Sequence, residues 1–210
     1  SDLAIPPREA VVVANWLGLM IGFVGLKTML GQSERSAMVI SLVAVLATPL
    51  GVWLLSVADP ALARLLIALI ALGSFVLVLL PKRPADHVPT TLETGGTGML
   101  SGVLTGFAGM PGPPVVPYYL RRAIPPQLAR ASMMTIFMAT SAMGVLSATV
   151  LKVATVREPL LALLLFPAVL LGNHLGHKAF GKVSDTAWRS FTGVVLGLSA
   201  AAALWRLVGS

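Results

Sequence analysis

Residues 105–120, TGFAGMPGPPVVPYYL, carry three glycines and four prolines in sixteen positions, inside strongly apolar sequence. Both residue types disfavour a helix interior. The stretch is therefore either a surface loop or a break built into a nonpolar segment, and its surroundings decide which.

The 210-residue chain is 56% hydrophobic and 11% charged, with a mean hydropathy of +0.88. A soluble domain carries about 25% charged residues, which excludes that class. Apolar runs alternate with short charged loops, the pattern of a polytopic α-helical membrane protein. The alternation that outer-membrane barrel strands need is missing. Six runs read as spanning helices: 10–28, 37–58, 61–80, 128–151, 159–177 and 189–208. The fold class is all-α, a membrane helix bundle of about seven membrane segments.

The seventh segment contains the opening stretch. A helix from Thr97 to Met110 is about 21 Å long, too short for a hydrocarbon core of about 30 Å. Residues 97–120 could cross only with a break near 109–114. Non-helical backbone at that depth must be buried in protein or line a wet cavity, and discontinuous helices often end at a substrate site. Pro113 or Pro114 suits the first turn of a new helix, whose positive end favours an anion. Four prolines lack an N–H, so the local donors reduce to Met110, Gly112, Val115 and Val116. Gly98, Gly102 and Gly106, spaced by four, form a small-residue stripe read as helix packing.

The two halves resemble each other. AIPPREA at 4–10 recurs as AIPPQLA at 123–129, an offset of 119. A small-residue helix with polar side chains follows each (Asn15; Ser132, Thr135, Thr140, Ser141). Then comes TPLGVWLL or VLLGNHLG, and a helix opened by DPALARLL or DTAWRSFT. The reading divides the chain into a first repeat at 1–81, a connecting loop at 82–96 and a second repeat at 97–210. Such repeats point to transporters with a site near the repeat interface. The second repeat has a segment before AIPP that the first lacks, so the first is expected to be N-terminally incomplete. The chain opens at Ser1 with no signal peptide in view.

All eight acidic residues fall in loops or at helix ends, which argues against a buried carboxylate relay or cation site. The embedded polar candidates are Asn173 and His174, Asn15, and Arg130 near a helix start. Each has a packing or snorkelling alternative. Met133, Met134, Met138 and Met143 read as packing residues. Cysteine is absent, which removes thiolate chemistry. No HExxH, GxSxG, P-loop or GxGxxG motif occurs, so neither an enzyme nor a cofactor or metal is expected. The net charge of +7 is spread over the loops, so no nucleic-acid partner is expected. If 97–120 crosses fully, Lys and Arg split eight to seven between the two sides, and orientation is not readable.

SGVLTGFAGMPGPPVVPYYLRRAIPPQLARAS, residues 101–132, resembles the signature region of the TauE/SafE family, the sulfite exporters. Gly102, Gly106, Gly109, Gly112, Pro113 and Pro114 match its Gly-rich part, and Arg130, Ala131 and Ser132 its following helix. LLGNHLGHKAF resembles the family's LGxxLGxxL helix through Leu171, Gly172, Leu175 and Gly176. Pro111 stands where the family usually has glycine. The resemblance implies a permease of the bacterial cytoplasmic (inner) membrane for a small anion: sulfite, a sulfonate or a related organic acid. Thr105, Gly109, Met110, Gly112, Pro113, Pro114, Asn15, Arg130, Ser132, Asn173 and His174 are the expected substrate-binding residues. A non-transporting scaffold or subunit and a passive anion channel are the alternatives. The expected partners are the substrate and the lipid bilayer, and the sequence also allows a homo-oligomer.

Overall fold

The computed structural model describes residues 6–29, 33–78, 84 and 87–179. The run at 189–208 lies outside these. The described residues form seven helices: α1 (Pro7–Met29), α2 (Arg35–Val57), α3 (Pro60–Val78), α4 (Thr91–Ala108), α5 (Gly112–Leu120), α6 (Pro126–Val150) and α7 (Arg157–Ala179). Five of the expected runs appear as helices. α1, α2, α6 and α7 are long and apolar enough to cross a membrane, and α3 has a shorter apolar stretch at Pro60–Ile70. The all-α membrane bundle follows from lengths and composition alone.

α4 begins six residues earlier than the sequence reading places it, inside the expected connecting loop. The cause is a capping box: Thr90 Oγ1 accepts from Glu93 N at 3.2 Å, and Glu93 Oε2 accepts from Thr90 N at 3.0 Å. Two otherwise orphaned donors are satisfied, which starts the helix on polar sequence that hydropathy reads as loop. At 18 residues α4 is about 27 Å long.

α2 and α4 run in parallel with their backbones in contact, because the glycine stripe lets them. A Cβ on Gly98 would lie 2.9 Å from Ile40 O, one on Gly102 would lie 2.8 Å from Ala47 Cβ, and one on Gly106 would lie 2.8 Å from the Gly51 carbonyl carbon. Gly51 returns the fit, with Phe107 N 2.9 Å from its virtual Cβ. Four glycines thus pack one helix into another.

α1 and α6 are antiparallel. Gly18 faces Ser141, Gly22 faces Met138, and Asn15 faces Gly144. Shifted by the repeat offset of 119, the pair Gly18–Ser141 becomes 137 against 22, one residue from the observed Gly22–Met138 contact. α1 and α6 thus pack about a local two-fold axis, each running opposite to the other through the bundle.

This gives the bundle two ends. α2, α4 and α6 begin at the proximal end; α1, α3 and α7 begin at the distal end. Arg8 fastens the distal end by donating to Leu55 O at 3.3 Å and Ser56 O at 2.7 Å, where a cation complements the C-terminus of α2. Arg157 and Glu9 pair there at 3.4 Å.

Candidate functional site

The break is real, and the chain reverses at it. Gly109 ends α4 in the left-handed region, with φ 67° and ψ 20°. Its N–H donates to Thr105 O at 2.9 Å, and Met110 N donates to Leu104 O at 3.3 Å. Glycine reaches this conformation without the Cβ penalty, which is why the helix stops here. Pro111 caps α5, and Pro113 sits in its first turn, where a missing N–H costs nothing.

α5 then runs back beside α4. Ser101 Oγ donates to Pro111 O at 3.1 Å, and Thr94 Oγ1 meets Tyr118 OH at 3.1 Å. These two pairs share one residue sum, the mark of antiparallel neighbours. Residues 97–120 therefore form a re-entrant helical hairpin whose two ends lie at the proximal end. The full crossing that the sequence leaves open does not occur, because nine residues of α5, about 13 Å, fold back instead of continuing.

The hairpin tip lies level with Val52 to Leu55 of α2, about three-quarters of the way along that helix. Ala108 and Met110 pack there with Val11, Leu55 and Ala63. The residues Gly109 to Pro114 are half-buried. Behind them stands Asn15, 1% exposed. Its Nδ2 donates to Thr105 O at 3.4 Å, and its Oδ1 has no partner. An unpaired buried amide oxygen is costly. The free end of the amide is thus an acceptor, and a half-turn about χ2 would present Nδ2 there only by setting Oδ1 against Thr105 O. Gly144 makes room for it, since a Cβ there would lie 2.7 Å from Asn15 Nδ2.

Of the expected site residues, Asn15, Thr105, Gly109, Met110, Gly112, Pro113 and Pro114 come together at this tip. The others do not. Ser132 is buried near the proximal end and accepts from Glu34 N at 2.9 Å. It lies twelve residues before Gly144, or about 18 Å along α6. Arg130 is two residues further toward the same end. Asn173 is half-buried and His174 exposed on α7, which runs parallel to α1 from the Arg157–Glu9 pair. That puts them about 15 Å further along the bundle than Asn15.

A second polar cluster, at the proximal end, is one that sequence reasoning misses. Arg122 grips the Glu34 carboxylate with both nitrogens, at 2.6 and 2.7 Å. Ser36 Oγ donates to Glu34 Oε2 at 3.0 Å and meets Tyr119 OH at 2.9 Å. The Arg122 guanidinium lies 5.4 Å from the Tyr118 ring centroid, within cation–π range. The bidentate bond to Glu34 pushes the Arg122 pKa above its ordinary value. Glu34 and Arg122 each stand in the sequence as ordinary loop charges, and no spacing rule links positions 88 apart.

A family model described as "Sulfite exporter TauE/SafE" matches residues 3–203. No curated protein and no solved structure matches the chain.

Proposed function

From the premise that this chain belongs to the TauE/SafE sulfite exporter family of membrane transporters, we propose that it moves a small anion by binding it at the re-entrant tip, Gly109 to Pro114. The anion is sulfite, a sulfonate or a related organic acid, and the membrane is the bacterial cytoplasmic one. The observation that carries the reading is a helix N-terminus deep inside the bundle. α5 starts about three-quarters of the way from the proximal end, near Asn15, whose amide nitrogen bonds Thr105 O and whose amide oxygen has no partner. A helix start carries about half a positive charge and orients its free N–H groups outward. Gly112 supplies the one first-turn N–H left outside the helix's own bonding, since Pro113 and Pro114 have none and Val115 and Val116 donate back to residues 111 and 112. Substrate shape and helix-end charge carry more of the recognition than a dense ring of donors, since the prolines contribute none.

Gly112→Leu tests this without disturbing the fold. A Cβ at Gly112 meets only Val116 Cγ2, at 3.7 Å, an ordinary contact, so the side chain fills the turn and not the core. Uptake of sulfite or a simple alkyl sulfonate into proteoliposomes should fall at least tenfold, and so should uptake by Asn15→Leu. In both, the thermal shift that the same anion produces on wild type should vanish. Undiminished flux in both variants would remove the tip from the transport path. Wild type that no candidate anion stabilises would favour the scaffold reading.

A further inference from the structure

The proximal cluster holds a carboxylate the way a binding site holds a ligand. Arg122 meets Glu34 with two nitrogens on two oxygens, at 2.6 and 2.7 Å. A guanidinium recognises any forked oxyanion with this geometry. Ser36 Oγ donates a third bond to the same carboxylate at 3.0 Å. Its hydrogen is thereby spent, so the buried Tyr119 is the donor in the 2.9 Å bond between the two hydroxyls. Tyr119, Ser36 and Arg122 thus all direct their hydrogens toward one acceptor-only group, an arrangement in which each bond strengthens the next. The cation is the inner partner and the carboxylate the more open one, with side chains 12% and 24% exposed.

Two features mark this carboxylate as replaceable. Glu34 is the N-cap residue of α2, yet its side chain makes no bond to its own helix start. That positive helix end gives a released carboxylate a second favourable position. Glu34 also lies between two cations, with the exposed Arg35 next to it in sequence and Arg122 across from it in space. Turning it away leaves a positive site that attracts another anion.

We infer that Arg122 and Ser36 form an oxyanion site that the chain's own Glu34 occupies, and that a small carboxylate, sulfonate or sulfite exchanges with Glu34 there. α5 joins this site to the tip: Gly112 starts the helix and Arg122 follows its end, so nine helical residues, about 13 Å, lie between them. A role as the waiting point for an anion on its way to or from the tip rests on the transport reading above. The binding itself does not.

The test reads the thermal shift that formate and methanesulfonate produce in detergent, against chloride at equal ionic strength. Chloride is a sphere and cannot bridge the two nitrogens. All variants carry Gly112→Leu, so that the tip adds nothing. Adding Glu34→Ala should create an oxyanion-dependent shift, with half-saturation at least tenfold below that for chloride. Adding Arg122→Gln as well should abolish it. Glu34→Asp keeps a charge at the start of α2 but falls one methylene short of Arg122, and should give the same shift with weaker half-saturation. No oxyanion shift in either Glu34 variant overturns the proposal. So does an equal response to chloride, or a shift that survives Arg122→Gln, since either would leave Glu34–Arg122 a structural tie alone. Failure of the tip reading looks different: Gly112→Leu by itself would then retain the wild-type shift.

Discussion

Gly109 and Gly112 stand three residues apart in one turn, and substitution should separate them. Gly109 holds a φ of 67°, and a Cβ there would lie 3.0 Å from Ala14 Cβ. Gly112 has room and an ordinary backbone. Gly109→Ala should therefore cost about 1–2 kcal/mol from left-handed strain and contact, while Gly112→Ala should leave stability within about 0.5 kcal/mol. Reversible unfolding in mixed micelles measures both, and equal losses would mean that Gly109 does not sit in the left-handed region. The break is legible in the amino-acid order: glycine–proline density marks it, and the prolines mark the start of α5. What Asn15 touches is not. Its partner Thr105 lies 90 positions away, and an amide in a small-residue helix reads equally well as packing or as site.

At the scale of elements, the hairpin is held at its base by charge and at its shaft by glycine. The Glu34–Arg122 pair ties the start of α2 to the connection after α5, with side chains 24% and 12% exposed. Partial burial and bidentate geometry make the pair worth more than a surface bridge. Arg122→Ala should destabilise by about 2 kcal/mol, and most of that cost is the Glu34 charge left half-buried without its partner. The double variant with Glu34→Gln should recover about half, a coupling that a double-mutant cycle reads directly. Additive losses would show that the two charges act separately. Hydropathy finds the helices well because each apolar run ends at charges. It misplaces the start of α4 because Thr90 and Glu93 are polar residues working as a cap. It is silent on the reversal of α5, which rests on contacts such as Thr94–Tyr118 that no periodicity encodes.

At the scale of the whole molecule, a segment that returns leaves the next helix starting where the hairpin began. Single cysteines at Val88 and Ala123 should therefore react with an impermeant maleimide from the same side of a proteoliposome. Cysteines at Ala58 and Thr155 should react from the other. Opposite sidedness for positions 88 and 123 would mean that the segment crosses. The reversal also reassigns the basic residues. Among the described residues, Lys27, Arg35, Arg121, Arg122, Arg130 and Lys178 gather at the proximal end, and Arg8, Arg64, Lys152 and Arg157 at the distal end. From this excess the positive-inside rule predicts a proximal end that faces the cytoplasm. The depth of the tip acquires an electrical meaning from this. On the proposed function, an anion reaching it from outside would traverse about a quarter of the membrane field, and one from the cytoplasm about three-quarters. A full charge across 100 mV corresponds to about 2.3 kcal/mol. Apparent affinity from outside should therefore weaken by about 2.5-fold for each 100 mV of inside-negative potential, as read from flux under potassium–valinomycin clamps. On the proposed function, the resting voltage of the cell would drive an exported monovalent anion through most of its path before the tip and the remainder after it, so the depth at which α4 stops would set how that work is divided between loading and release.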